Sequence, residues 1–594
     1  MNRTNISGGF WLDRLQVNAQ QAIFHQWDQL VSAGCIENFR IAAGETEGFR
    51  EGWFFADSDA YKWLEAAARI QAAFPNERLA ALIDDLIALV GRAQMADGYI
   101  FTYNQIHFPD TRWQNLQIEH ELYCHGHLIE AAVSHYEVSG RSDLLEIARR
   151  AADRIVADFL GKGPGYTPGH EEIEIALLRL HSVIAGDSVY LAMARQFIEQ
   201  RGRSPLFALS ILRQHLEAGK RTKRVAEKKR DYMAAHPQFK PFQLPPGNVA
   251  KKPANSMLRW YASALSGKYF QQHAPIRRQI APVGHSVRFA YFVTAVTMLA
   301  RASGDRSLLP ALESLWQRMV TRRMYLTGGI GSRPGPEGVG KDYELDPEFA
   351  YAETCAALAS LFWNWQMVQL TGEAKYSDLF EWQLYNAAGV GMGFDGRSYL
   401  YNNPLTCRGG VERKPWYAVP CCPSNISRTW ADLGRYIVSS QGRTVRIHQF
   451  ISSHLSVAIN DDNGAAAQVS LDMESGLPWE DWVRIKVTAI QQTRPGQALP
   501  FQLEFRQPAW AQDISVTVNG EPVQMPAAPA ANQSVGYDPR PASFRSISRH
   551  WTPGDQVEIV FPIKIELRRA HPQVKAHQDK VAVTRGPLVY CLES

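Results

Sequence analysis

Four stretches of the chain repeat one design: "VSGRSDLLEIARRAA", "IAGDSVYLAMARQF", "ASGDRSLLPALESLW" and "LTGEAKYSDLFEWQL". In each, a helix-like segment ends, a glycine follows (Gly140, Gly186, Gly304, Gly372), a short polar turn intervenes and a new helix begins. Glycine suits the position just past a helix end, which often needs a left-handed backbone. The helices carry apolar residues at three-and-four spacing, as Leu79, Leu82, Ile83, Leu86, Ile87 and Val90 do in "RLAALIDDLIALVGRAQ". Each stripe must be buried on a neighbour. Many hairpins in series close most naturally into an α/α toroid, although an open solenoid leaves a similar trace.

The pattern changes after Ser440. "TVRIHQFISSHLSVAI", "AAAQVSLDM", "WVRIKVTAI", "LPFQLEFRQPAW", "ISVTVNGEPVQ" and "DQVEIVFPIKIELRR" alternate apolar and polar residues between Gly, Pro and Asn. They predict antiparallel strands, with a tight turn at "VNGE". A chain of 594 residues exceeds a single core. The expected division is a helical domain over 1–438 and one or two β-sandwich modules over 439–594. The chain stops on the strand-like "GPLVYCLES", which leaves open that its natural end lies further on.

Lys and Arg number 63 against 59 Asp and Glu, a balance that gives no sign of a nucleic-acid partner. The one basic run, "GKRTKRVAEKKR" (Gly219 to Arg230), lacks interleaved aromatics and reads as a solvated helix or insertion. The N-terminus has no apolar signal-peptide core, and no run approaches a membrane span. Seven cysteines are too few, and odd, for a disulfide framework. A reducing cytoplasmic setting is expected, where clustered cysteines favour metal or catalysis. The 16 Trp and 22 Tyr suit an aromatic sugar cleft, or simply a large core.

The unusual residues are Glu337 in a Gly/Pro-rich loop, Glu353 and Cys355 in "YAETC" where a helix starts, and Cys421 and Cys422 in "CCPSN". Three thiols and a carboxylate suit zinc, a soft-tolerant tetrahedral ion. Glu-x-Cys aims both side chains one way if the glutamate precedes the helix. Adjacent cysteines share one ion if the backbone turns sharply, which Pro423 favours. Spacing alone leaves a metal site, buried free thiols and a vicinal disulfide open. A nearby carboxyl and a metal-activated thiolate would supply the acid and nucleophile of retaining glycoside hydrolysis. Glu337 and Glu353 acting as a conventional carboxylate pair is the rival. His127, His170, His285 and Tyr401 lie in polar-aromatic settings suited to sugar hydroxyls; each histidine alone equally suits a core or helix-end position.

At these residues the sequence resembles the β-L-arabinofuranosidases of glycoside hydrolase family 127. "LTGGIGS", the loop glutamate, "ETC" and "CCPSN" carry the resemblance, supported by "ENFRIAAGE", "HELYCHGHLIEAAVSHYE", "PGHEEIEIALLRL", "VGHSVR" and "RGPLVYCLE". It runs from Phe10 to the C-terminus. It implies an (α/α)6 barrel followed by β-sandwich modules. It also implies Cys421 as nucleophile, Glu337 as general acid/base, and Glu353, Cys355, Cys421 and Cys422 as zinc ligands. His127, His170, His285 and Tyr401 match sugar-contacting positions. The implied reaction is retaining release of terminal β-L-arabinofuranose from plant-derived glycans, through a thioglycosyl intermediate; an oligosaccharide or arabinoside is the partner, and a homodimer through the β modules fits the family. Family members acting on other rare sugars, and a sugar-binding protein with a structural zinc, are the alternatives. Two features depart from the pattern: Pro336 stands where related sequences have Gly, and the stretch from Gly219 to Asn248 is positioned to remodel the pocket rim.

Overall fold

The computed structural model describes residues 3–592 apart from 185, 187, 243–254, 408, 461–465, 492–498 and 526–540. Among the described residues, twelve helices alternate between an outer and an inner ring. Outer α1 (Ile23–Ser32) leads to inner α2 (Asp57–Ala73), outer α3 (Glu77–Ala93) to inner α4 (Glu121–Ser139), and outer α5 (Asp143–Phe159) to inner α6 (Ile173–Val183). Outer α7 (Val189–Gln200) is followed by a hairpin, α8 (Phe207–Ala235) and α9 (Ser256–Leu265), before inner α10 (Ser286–Ser303). Outer α11 (Leu309–Arg322) and inner α12 (Thr354–Thr371), then outer α13 (Ala374–Gln383) and inner α14 (Cys421–Ala431), complete the series. Each inner helix packs on the next, and α14 packs back on α2. That last contact closes the ring: the fold is an (α/α)6 barrel, not a solenoid.

The two rings differ in sequence for a physical reason. Outer helices face the barrel on one side, so α3 buries Leu79, Ile83, Leu86, Ile87 and Val90 and leaves its other face to water. Inner helices are enclosed all round; α2 is buried continuously from Asp57 to Ile70. Gly140, Gly304 and Gly372 take the left-handed conformation at the ends of α4, α10 and α12, as the hairpin pattern predicts. Gly186 differs. Helix α6 closes at Ile184, and Gly186 adopts φ 80° in the turn beyond it.

The β part holds a seven-stranded sheet in the order Arg3–Ile6, Ser453–Asn460, Ala466–Ser475, Trp482–Gln491, Gln556–Val560, Ser515–Val518 and Glu521–Pro522. A four-stranded sheet faces it, and Leu455, Val457, Leu503 and Phe505 share the core between them. The first strand comes from the chain's N-terminus, too short at four residues to stand out in sequence. The pairs are antiparallel except Thr444–Ile447 with Leu499–Gln507, which is parallel. "VNGE" forms the expected two-residue turn, with positive φ at Asn519 and Gly520. A three-stranded sheet, Ile565–Arg568, Ala582–Arg585 and Leu588–Tyr590, ends the described chain; Glu593 and Ser594 lie outside it.

The basic run is helical, within α8, and one side of it is docked rather than solvated. Arg221 is buried against Glu119, and Lys229 pairs with Glu51 at 2.9 Å. Residues 243–248 of the suggested rim segment lie outside the described residues. No described helix is long and apolar enough to cross a membrane.

Candidate active site

The residues just before α4, α6, α10, α12 and α14 are His120, Glu172, His285, Glu353 and Pro420. The first turns of the inner helices thus meet at one mouth, where their partial positive charges favour anions.

Glu353 caps α12 with an extended backbone (φ −60°, ψ 137°), so its side chain and that of Cys355, one residue into the helix, aim at the same point. Cys421 and Cys422 are the first two residues of α14. The backbone there is helical: Pro423 sits in the first turn, which tolerates proline, and makes no sharp bend. The helix end itself faces the cluster. Donor atoms of Glu353, Cys355, Cys421 and Cys422 lie within 4.8 Å of one another. Cys355 Sγ is 3.3 Å from Cys422 Sγ, and Cys421 Sγ is 3.9 Å from it. Glu353 Oε1 is 3.5 Å from Cys421 Sγ and 3.8 Å from Cys422 Sγ. A tetrahedral ion with thiolates at about 2.3 Å and an oxygen at about 2.0 Å sets edges of about 3.8 Å and about 3.5 Å. The four donors fit such an ion in number, type and spacing.

Their titration argues the same way. Burial pushes Glu353 up, and Cys421 and Glu337 add to it. Burial and the neighbouring sulfurs raise Cys422, and its hydrogen bond to Cys355 raises Cys421. For Cys355 burial opposes ionisation, but hydrogen bonds from Cys421 and Cys422 outweigh it and lower the thiol to about 6. A bound dication would draw off the protons that burial otherwise keeps on these groups.

The strip "YLYNN" pins this centre. Tyr401 O accepts from Thr354 N at 2.9 Å, and Asn403 Nδ2 donates to Ala352 O at 2.8 Å. Tyr401 OH reaches Cys421 Sγ at 3.4 Å.

Glu337 arrives on its loop with a left-handed backbone (φ 60°), uncommon for a residue with a side chain. Its carbonyl accepts from Ser286 N and Ser286 Oγ, both at 3.1 Å, which ties the loop to the start of α10. Proline at 336 therefore leaves the glutamate anchored. His285 Nδ1 accepts from Val287 N at 3.2 Å, so the ring proton sits on Nε2, 3.3 Å from Glu337 Oε2. Burial lowers the His285 pKa, and Glu337 only partly opposes this. His170 sits behind it, ring centroids 6.2 Å apart, also neutral through burial.

His127 is placed differently. It is fully buried, stacked edge-on to Tyr123 at 4.5 Å, with Nδ1 3.2 Å from Glu172 Oε1. Burial lowers the histidine and raises the glutamate, so both are neutral and the contact is not an ion pair. The Tyr123 ring also meets that of His170, at 4.4 Å, and so links the two histidines.

Sequence patterns missed several site residues. Lys62 and Asp59 pair at 3.0 Å, both buried, with the ammonium over Tyr123 at 5.6 Å. Burial lowers the Lys62 pKa, but Asp59, Cys421 and Cys355 raise it further, which keeps a cation beside the sulfurs. No sequence signal marked them: "DSDAYKWLE" reads as an ordinary helix start, and only the structure shows it buried throughout.

Comparison with known proteins bears directly on this arrangement. The catalytic-domain model of family 127 β-L-arabinofuranosidases matches residues 4–435, the middle-domain model residues 444–563, and the family's C-terminal-domain model residues 565–594. The chain belongs to glycoside hydrolase family 127. It is a glycoside hydrolase, acting on a carbohydrate. It is 32% identical to a non-reducing end β-L-arabinofuranosidase of Bifidobacterium longum subsp. longum, across 100% of this chain and 86% of that protein. The family 127 β-L-arabinofuranosidase structure from Geobacillus stearothermophilus T6 superimposes with TM-score 0.82 at 35% identity, covering 99% of this chain and 86% of that one. A second family 127 β-arabinofuranosidase structure gives 0.80 at 29%, covering 99% and 83%.

Proposed function

We propose that this family 127 enzyme is a retaining, exo-acting β-L-arabinofuranosidase that releases terminal β-L-arabinofuranose from plant-derived glycans. Glu353, Cys355, Cys421 and Cys422 hold zinc, Cys421 is the nucleophile and Glu337 the general acid/base. The carrying observation is the tetrahedral spacing of three sulfurs and one carboxylate oxygen, with Cys421 the least buried of the four. Glu353 is occupied within that cluster, which disfavours a conventional pair of glutamates.

Zinc there supplies the positive charge that keeps the thiols ionised at neutral pH. The remaining chemistry belongs to the chain. Cys421 sulfur attacks the anomeric carbon while the Glu337 carboxyl gives its proton to the departing oxygen; a C–S bond forms and the C–O bond breaks. Glu337, now a carboxylate, takes a proton from water. The water oxygen attacks the same carbon from the vacated side, the C–S bond breaks, and the sugar leaves with its configuration kept. Neutral His285 donates from Nε2 to Glu337 and aims it. The catalytic machinery lies in 1–438 and the β modules in 439–594. A reducing, cytoplasmic setting is part of this proposal.

The test is mass spectrometry of Cys421 after exposure to a chromogenic β-L-arabinofuranoside. A sugar adduct on Cys421, slow to clear in Glu337→Gln, is expected, with Glu337→Gln losing roughly a hundredfold or more in kcat and keeping its zinc. Turnover of a different rare-sugar glycoside instead, with the same adduct, would correct the sugar; no adduct on any would remove Cys421 as nucleophile.

A further inference from the structure

A general acid stands beside the oxygen that it protonates. If Glu337 is that acid, the leaving group of any substrate lies on its open side, where 38% of its side-chain surface is exposed. Helix α9 and the segment after it lie beside the acid loop and His285. Helix α9 starts against the acid loop: a Cβ on Gly335 would lie 2.6 Å from Ser256 Cβ, so the two touch with no side chain between. Further along, Arg259 reaches Glu344 at 3.8 Å, and Glu344 also binds Arg333 Nε at 2.8 Å and Lys341 N at 3.0 Å. Those two residues flank the acid loop, so α9 and Glu337 are held as one unit.

Two half-buried aromatic rings lead from α9 to the site. Trp260 meets Tyr269 at 5.9 Å and 67°, and Tyr269 meets His285 at 5.5 Å and 81°. The Arg288 guanidinium lies over Tyr269 at 5.0 Å, and His215 of α8 braces Trp260 at 5.3 Å. The rings are thus fixed next to the histidine that holds the acid.

We propose that Trp260 and Tyr269 form the leaving-group subsite, an aromatic wall for the apolar C–H face of the second sugar ring. Aromatic faces bring large apolar area with little rotamer freedom to lose, which suits a flat ring whose hydroxyls point outward. The pair adds selectivity for what is cut off, separate from the groups around Cys421 that face the released sugar. This rests on Glu337 being the acid.

Two substrates with the same released sugar separate the roles: methyl β-L-arabinofuranoside and a β-linked arabinose disaccharide. Trp260→Ala should lose about tenfold in kcat/KM on the disaccharide, chiefly through KM, and less than twofold on the methyl glycoside; Tyr269→Ala, whose ring also packs on His285, should lose more on the disaccharide than on the methyl glycoside. Trp260→Phe and Tyr269→Phe should recover most of the loss. Equal losses on both substrates would mean that the rings only pack the hairpin against Phe207, Ile211 and Phe270, and would overturn the proposal. No loss on either also overturns it. Calorimetric binding of the disaccharide to Glu337→Gln, with and without Trp260→Ala, reads the subsite without turnover. A tenfold weaker Kd supports it and an unchanged Kd overturns it, whereas turnover of neither substrate by the unaltered enzyme counts against the proposed function instead.

Discussion

Four acidic donors within a few ångströms cannot all be ionised in a buried site unless a cation joins them. An ion that bound only the assembled cluster would couple metal to fold stability. Chelation should lower the thermal midpoint and abolish activity together, and added zinc should restore both. Cys422→Ser is expected to lose zinc and turnover. Cys421→Ala should lose roughly ten-thousandfold or more in kcat, yet retain part of its zinc on the remaining three donors. Metal content by elemental analysis beside kcat reads the distinction; equal zinc loss in both variants would make Cys421 only a ligand. The cluster residues were legible in sequence because soft donors are scarce in this chain and thus conspicuous. Lys62, Asp59, Tyr123 and Glu172 were not, since a lysine or glutamate in a helix ordinarily faces water, and only the closed ring makes these positions interior.

At the level of elements, the helix that presents Cys421 is fastened by its other end. Arg428 of α14 binds Glu65 Oε2 at 2.8 Å, Tyr291 OH at 3.1 Å and Asn425 Oδ1 at 2.7 Å, linking α14 to α2 and α10. Arg428→Met would leave Glu65 buried with less compensation and should cost about 3–5 kcal/mol in urea unfolding. The same network sets an acid limit. Burial pushes Glu65 up, but Arg428, Arg69 and Arg179 outweigh it and hold it at about 2; Glu137, facing Arg179, Arg435 and Arg69, is also held at about 2. Both folded values lie below the ordinary value of 4.5, so their contribution is full above that pH and lost as pH falls toward 2. The thermal midpoint should fall steeply across this window, and less steeply in Glu137→Gln. A parallel decline in both would place the acid sensitivity elsewhere. Hairpin glycines and outer helices were legible because amphipathic periodicity survives on a half-exposed helix. The inner helices blur that period, being buried on every side, so their number and the closure of the ring came only with the contacts.

Across the whole molecule, barrel and sandwich share one core, in which Leu358, Phe380 and Leu384 meet Val445, Leu503 and Phe505. Polar contacts lock the seam. Arg506, on a sandwich strand and fully buried, binds Asp378 and Glu381 of α13, and Trp510 Nε1 donates to Glu381 Oε2 at 3.0 Å. Sequence gave no hint of this joint, because an arginine between apolar strand positions ordinarily marks a solvated face. The composition shift near Ser440 marks where helices give way to strands, but says nothing of how firmly the two parts hold. With two buried carboxylates on a single guanidinium, the parts should unfold together. Arg506→Met is expected to cost about 3–5 kcal/mol and to lower the midpoint of catalytic loss and of tryptophan fluorescence in urea by the same amount. If fluorescence of the β part were lost at lower urea while activity persisted, the sandwich would be an independent module. Coincident transitions would mean that the β modules act on catalysis only through the rigidity they lend to α13 and, through it, to α12, which carries Glu353 and Cys355.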